Sequence, residues 1–150
     1  MIRAHESVIV QMLGRLLVPL VQLYALFILF FGQYGPGGGF VGGVMFGASL
    51  ILGMLVFGPG SPSWTIPTKL LKGDGVGLII FVAVGGLCLI AGGEFLNYAE
   101  VAIPGLDTPS SRRHLGIIMT QIGVAADVAV TAISIVYSLS AVQSNGGPDA

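Results

Sequence analysis

Residues Leu115–Leu139 read LGIIMTQIGVAADVAVTAISIVYSL, twenty-five residues with one charge, Asp127, at the midpoint. About 20 predominantly apolar residues in a helix cross the hydrocarbon core of a bilayer. Working outward, three more stretches come close to that length. Phe40–Phe57 and Val76–Gly93 carry no charge in 18 residues each. Leu16–Phe31 is interrupted only by Gln22 and continues upstream through Val8, Ile9, Met12 and Leu13. Pro19 inside it is expected to kink the helix. The sequence therefore predicts an all-α integral membrane protein. Its four transmembrane helices fall at about residues 9–31, 40–57, 76–93 and 115–139, within a single domain of residues 1–150 that ends in a flexible tail over 140–150.

Composition leads to the same class. Of 150 residues, 54% are apolar and 9% charged, with six Lys and Arg against seven Asp and Glu. Soluble domains carry about 25% charged residues, and so few charges cannot form a hydrated outer layer. A soluble enzyme and a nucleic-acid binder are excluded on this ground. The 24 glycines fit helices that pack closely in lipid. The single cysteine, Cys88, supplies neither a disulfide framework nor a thiolate cluster.

The connections are rich in helix breakers. Gly32–Gly39 is a Gly/Pro turn, and Gly58–Gly75 holds Pro59, Pro62, Pro67, Lys69 and Lys72. Glu94–His114 is acidic and then basic, with Phe95, Leu96, Tyr98, Val101 and Ile103, and reads as an interfacial segment. The first span has a longer apolar core than a signal peptide and lacks a small-residue cleavage site, so it is expected to be retained. Four spans put both termini on one side, with Arg3, Arg15, Lys69 and Lys72 against Arg112 and Arg113 on the other. That excess places the termini in the cytoplasm.

Asp127 is the most informative residue, because a carboxylate at membrane depth costs several kcal/mol unless it is protonated, paired or hydrated. Gly116, Thr120, Gly123, Asp127, Thr131, Ser134 and Ser138 are spaced three or four apart and share one helical face. Two readings stand side by side. The face is a close-packed interface with Asp127 satisfied by a partner, or it is the wall of an ion or proton path with Asp127 as a station. Ion-path candidates are Asp127, Thr131, Ser134, Thr120 and Glu94, the last because it borders the third span. Glu100 and Asp107 read as solvated loop carboxylates, and Arg112, Arg113 and His114 as a basic collar of interfacial anchors. Gly39, Gly43 and Gly47 form a small-xxx-small stripe, and Gly43, Gly47 and Gly123 read as helix-packing positions. Pro36-Gly37-Gly38-Gly39-Phe40 is a turn that weakens the start of the second helix. No nucleophile triad, metal-ligand spacing, phosphate loop or paired carboxylates point to catalysis, and neither a metal nor a cofactor is expected.

With the Pro36–Phe40 turn followed by Val41-Gly42-Gly43, the lead Ser7-Val8-Ile9-Val10, Arg15 in the first helix and an Asp central to the last, the chain resembles the MnhB-type subunit of the Mrp-type multisubunit sodium/proton antiporter. The resemblance covers roughly Ser7 to Leu139. It implies a small four-helix subunit of the cell inner or plasma membrane. Such a subunit assembles with large antiporter-like and other small membrane subunits, and the complex exchanges Na+ for H+. Related subunits occur in membrane-bound hydrogenase-type complexes, so a redox-driven pump is an alternative, and a purely structural scaffold is another. The family's motif falls on Pro36, Gly37, Gly38, Gly39 and Phe40, and its acid on Asp127. Many relatives have a His where this chain has Gln33, and Phe and Gly where it has Ala126 and Ala129.

Overall fold

The computed structural model describes residues 7–58, 73, 75–101, 105 and 107–145. Among these, four α-helices and no strand occur: α1 Val8–Phe31, α2 Gly39–Phe57, α3 Val76–Ile90 and α4 Pro109–Asn145. Three of them, α1, α2 and the Pro109–Ser140 part of α4, are long and apolar enough to cross a membrane. The apolar α3 is shorter. Its 15 residues extend about 22 Å, less than the ~30 Å hydrocarbon thickness.

The pattern of burial is that of a membrane protein. Small residues fill the contacts between helices, with Ala25, Cys88, Ala125 and Ala129 buried, while Ile9 is 73%, Leu23 67% and Ile79 68% exposed. Without water to drive large apolar side chains inward, helices associate through close backbone approach at small residues. Large side chains remain for lipid or for other subunits.

Glycines set the register. A Cβ at Gly14 would lie 2.7 Å from Val56 Cγ1, and one at Gly42 would lie 3.1 Å from the Ala25 carbonyl oxygen, so α1 and α2 run antiparallel. Gly39, Gly43 and Gly47 seat on Gln121, Ala125 and Ala129 in turn, which makes α2 parallel to α4. Gly77 seats against Gly123 and Asp127, while Ile80 reaches Gly123, so α3 runs antiparallel to α4. The chain thus alternates in direction through four helices, and Ser7 and Asn145 lie at the same end.

Three helix limits differ from the sequence expectation by more than one residue. The fourth helix starts at Pro109 rather than near Leu115, because Thr108 caps it: Thr108 Oγ1 accepts the Ser111 N–H at 3.3 Å, with proline at the first helical position. Residues 109–114, placed in an interfacial segment by their polarity, therefore belong to this helix, as do 140–145, placed in a tail. The third helix ends at Ile90 rather than Gly93. Gly92 has φ 86°, and the Gly92 and Gly93 N–H groups bond back to the Leu89 and Cys88 carbonyls at 3.1 Å each, the Schellman geometry that ends a helix. Pro19 lies inside α1, which continues through it.

The helices are staggered. The α2 helix packs on α4 from Gln121 toward the C-terminal end, whereas α3 begins beside Asp127 and runs toward the N-terminal end. Among the described helices, α3 touches α4 alone. Past Ile90 the chain folds back, with the Phe95 ring on Gly85 and the Tyr98 ring on Gly116.

Candidate functional site

Asp127 lies halfway along α4, where α3 begins, and is half-buried. Its Oδ1 accepts the backbone N–H of Gly75 at 3.0 Å. Gly75 is the N-cap of α3 with φ 89°, a left-handed conformation that favours glycine. Leu78, Phe81, Val124 and Val128 border a recess of about 210 Å³ beside the carboxylate. The arrangement is a carboxylate at the positive end of a helix dipole with apolar surroundings. A charge-assisted hydrogen bond contributes about 1.5–3 kcal/mol and the dipole about 0.3–2 kcal/mol. Insertion scales put the cost of an Asp at the centre of a membrane helix at about 2.5–3.5 kcal/mol. The bond and the dipole both act to offset that cost.

The polar face of α4 divides at this point. Gly77 and Gly123 touch backbone to backbone, with a Cβ at Gly123 reaching the Gly77 carbonyl oxygen at 2.8 Å. On one side of the contact, Thr131, Ser134 and Ser138 border a shallow open groove with Ile135 and Leu139. Ser134 Oγ itself is enclosed, without a hydrogen-bond partner among the described residues. On the other side Thr120 is 7% exposed. Its hydroxyl faces its own helix, 3.0 Å from the Gly116 and 2.9 Å from the Ile117 carbonyl oxygens, and accepts from Tyr98 OH at 3.4 Å. Thr131 and Ser134 thus border a groove apart from the Asp127 recess, about one and two turns further along α4, and the Gly77–Gly123 contact lies between Asp127 and Thr120. Glu94 lies exposed beyond the far end of α3 and joins neither group.

The basic collar has a different role from membrane anchoring at Arg112. Its guanidinium donates to the carbonyls of Ala99 at 3.3 Å and Asp107 at 3.5 Å, pinning the segment between α3 and α4. His114 Nδ1 lies 2.9 Å from Gln33 Nε2, which ties the α1–α2 turn to α4. In that turn Gly37 and Gly38 have φ 156° and 114°, and Gly39 is pressed on the Gln121 backbone. Phe40 is 64% exposed. Among the described residues no three His, Cys, Asp or Glu side chains converge as a metal site would need.

Sequence reading missed Gly75, Gly77 and Tyr98. The alternation Gly73, Gly75, Gly77 at the start of an apolar run was the available signal for a close backbone approach. Nothing in the chain marks Tyr98.

The family model describing a domain related to the MnhB subunit of the Na+/H+ antiporter matches residues 9–134. The chain belongs to the MnhB family. It is 30% identical over 132 residues to the Na(+)/H(+) antiporter B subunit of Alkalihalophilus pseudofirmus, covering 84% of this chain and 92% of that one. It is 25% identical over 132 residues to the protein of the same name in Bacillus subtilis, again with 84% and 92% covered. No solved structure matches. The MnhB match takes in the Gly/Pro turn, α3 and Asp127.

Proposed function

We infer that this chain is a membrane subunit of a multisubunit sodium/proton antiporter, contributing to assembly and to an ion path. The family match over residues 9–134 carries this reading, and the likeness to two antiporter B subunits over 84% of the chain supports it. The chain's part is transport rather than catalysis, and Na+ and H+ are its cargo with no resident cofactor. It sits in the cell inner or plasma membrane with both termini cytoplasmic. Its partners are large antiporter-like subunits and other small membrane subunits, which the large apolar side chains exposed on α1 and α3 are suited to meet.

Within the chain, Asp127 is the station of the path, with Thr131 and Ser134 leading to it along the open groove. The half-buried carboxylate in an apolar recess and the enclosed Ser134 hydroxyl support that role. In vesicles carrying the assembled complex, Asp127→Asn is expected to lower Na+-driven proton movement tenfold or more, while Asp127→Glu retains part of it. Unchanged exchange in an Asp127→Asn complex of normal composition leaves the chain as scaffold only.

A further inference from the structure

We propose that α3 is a gate across the polar face of α4, latched shut by the bond between the Asp127 carboxylate and the Gly75 N–H. The proposal rests on the reading of this face as an ion path and adds the element that opens and closes it. Four observations carry it. The Gly77–Gly123 contact interrupts the polar face between Asp127 and Thr120, so in this conformation the start of α3 lies across the face beyond Asp127. Among the described helices α3 packs on α4 alone, without a contact to α1 or α2. Glycines flank it, with Gly75 as its N-cap at φ 89° and Gly92 just past its Ala91 C-cap at φ 86°, where the backbone turns most freely. Its N-terminal end is held by a side chain whose charge an arriving H+ or Na+ would cancel.

Among the described residues the charge on Asp127 is well isolated. Neither α2 nor α3 contains a charged residue, α1 has Arg15, and the other charges of α4 are Arg112 and Arg113, with His114 beside them, about four turns away. Lys72 and Asp74 adjoin the Gly73–Gly75 turn in sequence and lie outside the described residues. Neutralising the carboxylate removes its attraction for the helix N-terminus. The first turn of α3 then swings from Gly123 and joins the Thr120 side of the face to the Thr131 side. Occupancy of the station is thereby coupled to opening beyond it.

Thiol labelling in membranes carrying the assembled complex tests the gate. Cys88 is replaced by Ser to remove the native thiol, and Thr120→Cys reports the sealed side of the contact. With Asp127 intact and sodium absent, a small methanethiosulfonate reagent is expected to label slowly. Asp127→Asn, or Gly77→Ala with Asp127 intact, is expected to raise the rate tenfold or more, and Asp127→Glu to leave it slow. Equal labelling rates with and without the Asp127→Asn substitution overturn the latch. If Asp127→Asn fails to assemble, added sodium takes its place: a faster rate supports the gate and a constant one overturns it. Transport lost with labelling unchanged removes the latch and leaves the path, whereas faster labelling with transport unimpaired keeps the latch and removes the path.

Discussion

Asp127 and Arg112 are both charged and both on α4, yet they do different physical work. Asp127 accepts one backbone N–H at the start of α3, beside an apolar recess. Arg112 spans two carbonyls eight residues apart in sequence, Ala99 and Asp107. Arg112→Ala is expected to cost about 1 kcal/mol, since both bonds are long and only the net worth of a hydrogen bond is lost. Its main effect is local, with faster proteolysis between residues 99 and 107 measured on the purified complex. Arg112→Lys restores part of the protection, because an ammonium reaches one carbonyl but lacks the planar fork for two. Thr120 offers a contrast, because its hydroxyl faces its own helix and takes the Tyr98 bond. Thr120→Val is expected to leave the fold intact and to lower exchange less than Asp127→Asn does.

At the scale of elements, α2 and α3 use one device for two ends. Each lays glycines on α4, but α2 does so at three successive turns, Gly39, Gly43 and Gly47, and α3 at one, Gly77. A Cβ at Gly43 would come 2.7 Å from the Ala125 carbonyl oxygen and 2.8 Å from its Cα. Gly43→Leu therefore forces α2 from α4 at a cost of about 1–3 kcal/mol. The measurement is the amount of subunit recovered in the complex, expected to fall several-fold. Gly86 has no atom within 4 Å of a Cβ position, so Gly86→Ala is expected to leave recovery unchanged or improved. The four apolar runs were legible in the chain because hydrophobic length reads directly from sequence. The early start of α4 was not, since residues 109–114 are polar and the hydropathy signal begins after the helix does. Thr108-Pro109 was the capping signal that marked it.

On the scale of the molecule, the buried residues are few, with Val18, Met54, Val56 and Ile133 beside small ones, while large apolar side chains cover α1 and the outer side of α3. Such a surface needs lipid or other subunits around it. Mild-detergent purification of the tagged chain from its own membrane, followed by mass spectrometry, is expected to recover large antiporter-like subunits at fixed ratio. Recovery of the chain alone, with crosslinked controls also alone, would falsify membership of a complex. Iron-sulfur subunits in the same fraction would instead assign the chain to a redox-driven pump.

The sequence by itself determined the membrane environment, the helical class, the Gly/Pro turn after α1 and the one acid deep in an apolar helix. Each of these is a local property of composition and spacing. Tertiary structure alone decided that α3 is offset along α4, that Asp127 meets the start of α3, and that Gly77 and Gly123 divide the polar face. Those facts depend on how far one helix slides along another, and helical periodicity repeats every turn. A stripe of small residues therefore permits several registers. Which of them the chain adopts follows from packing between segments about 50 residues apart, which no short window along the sequence contains.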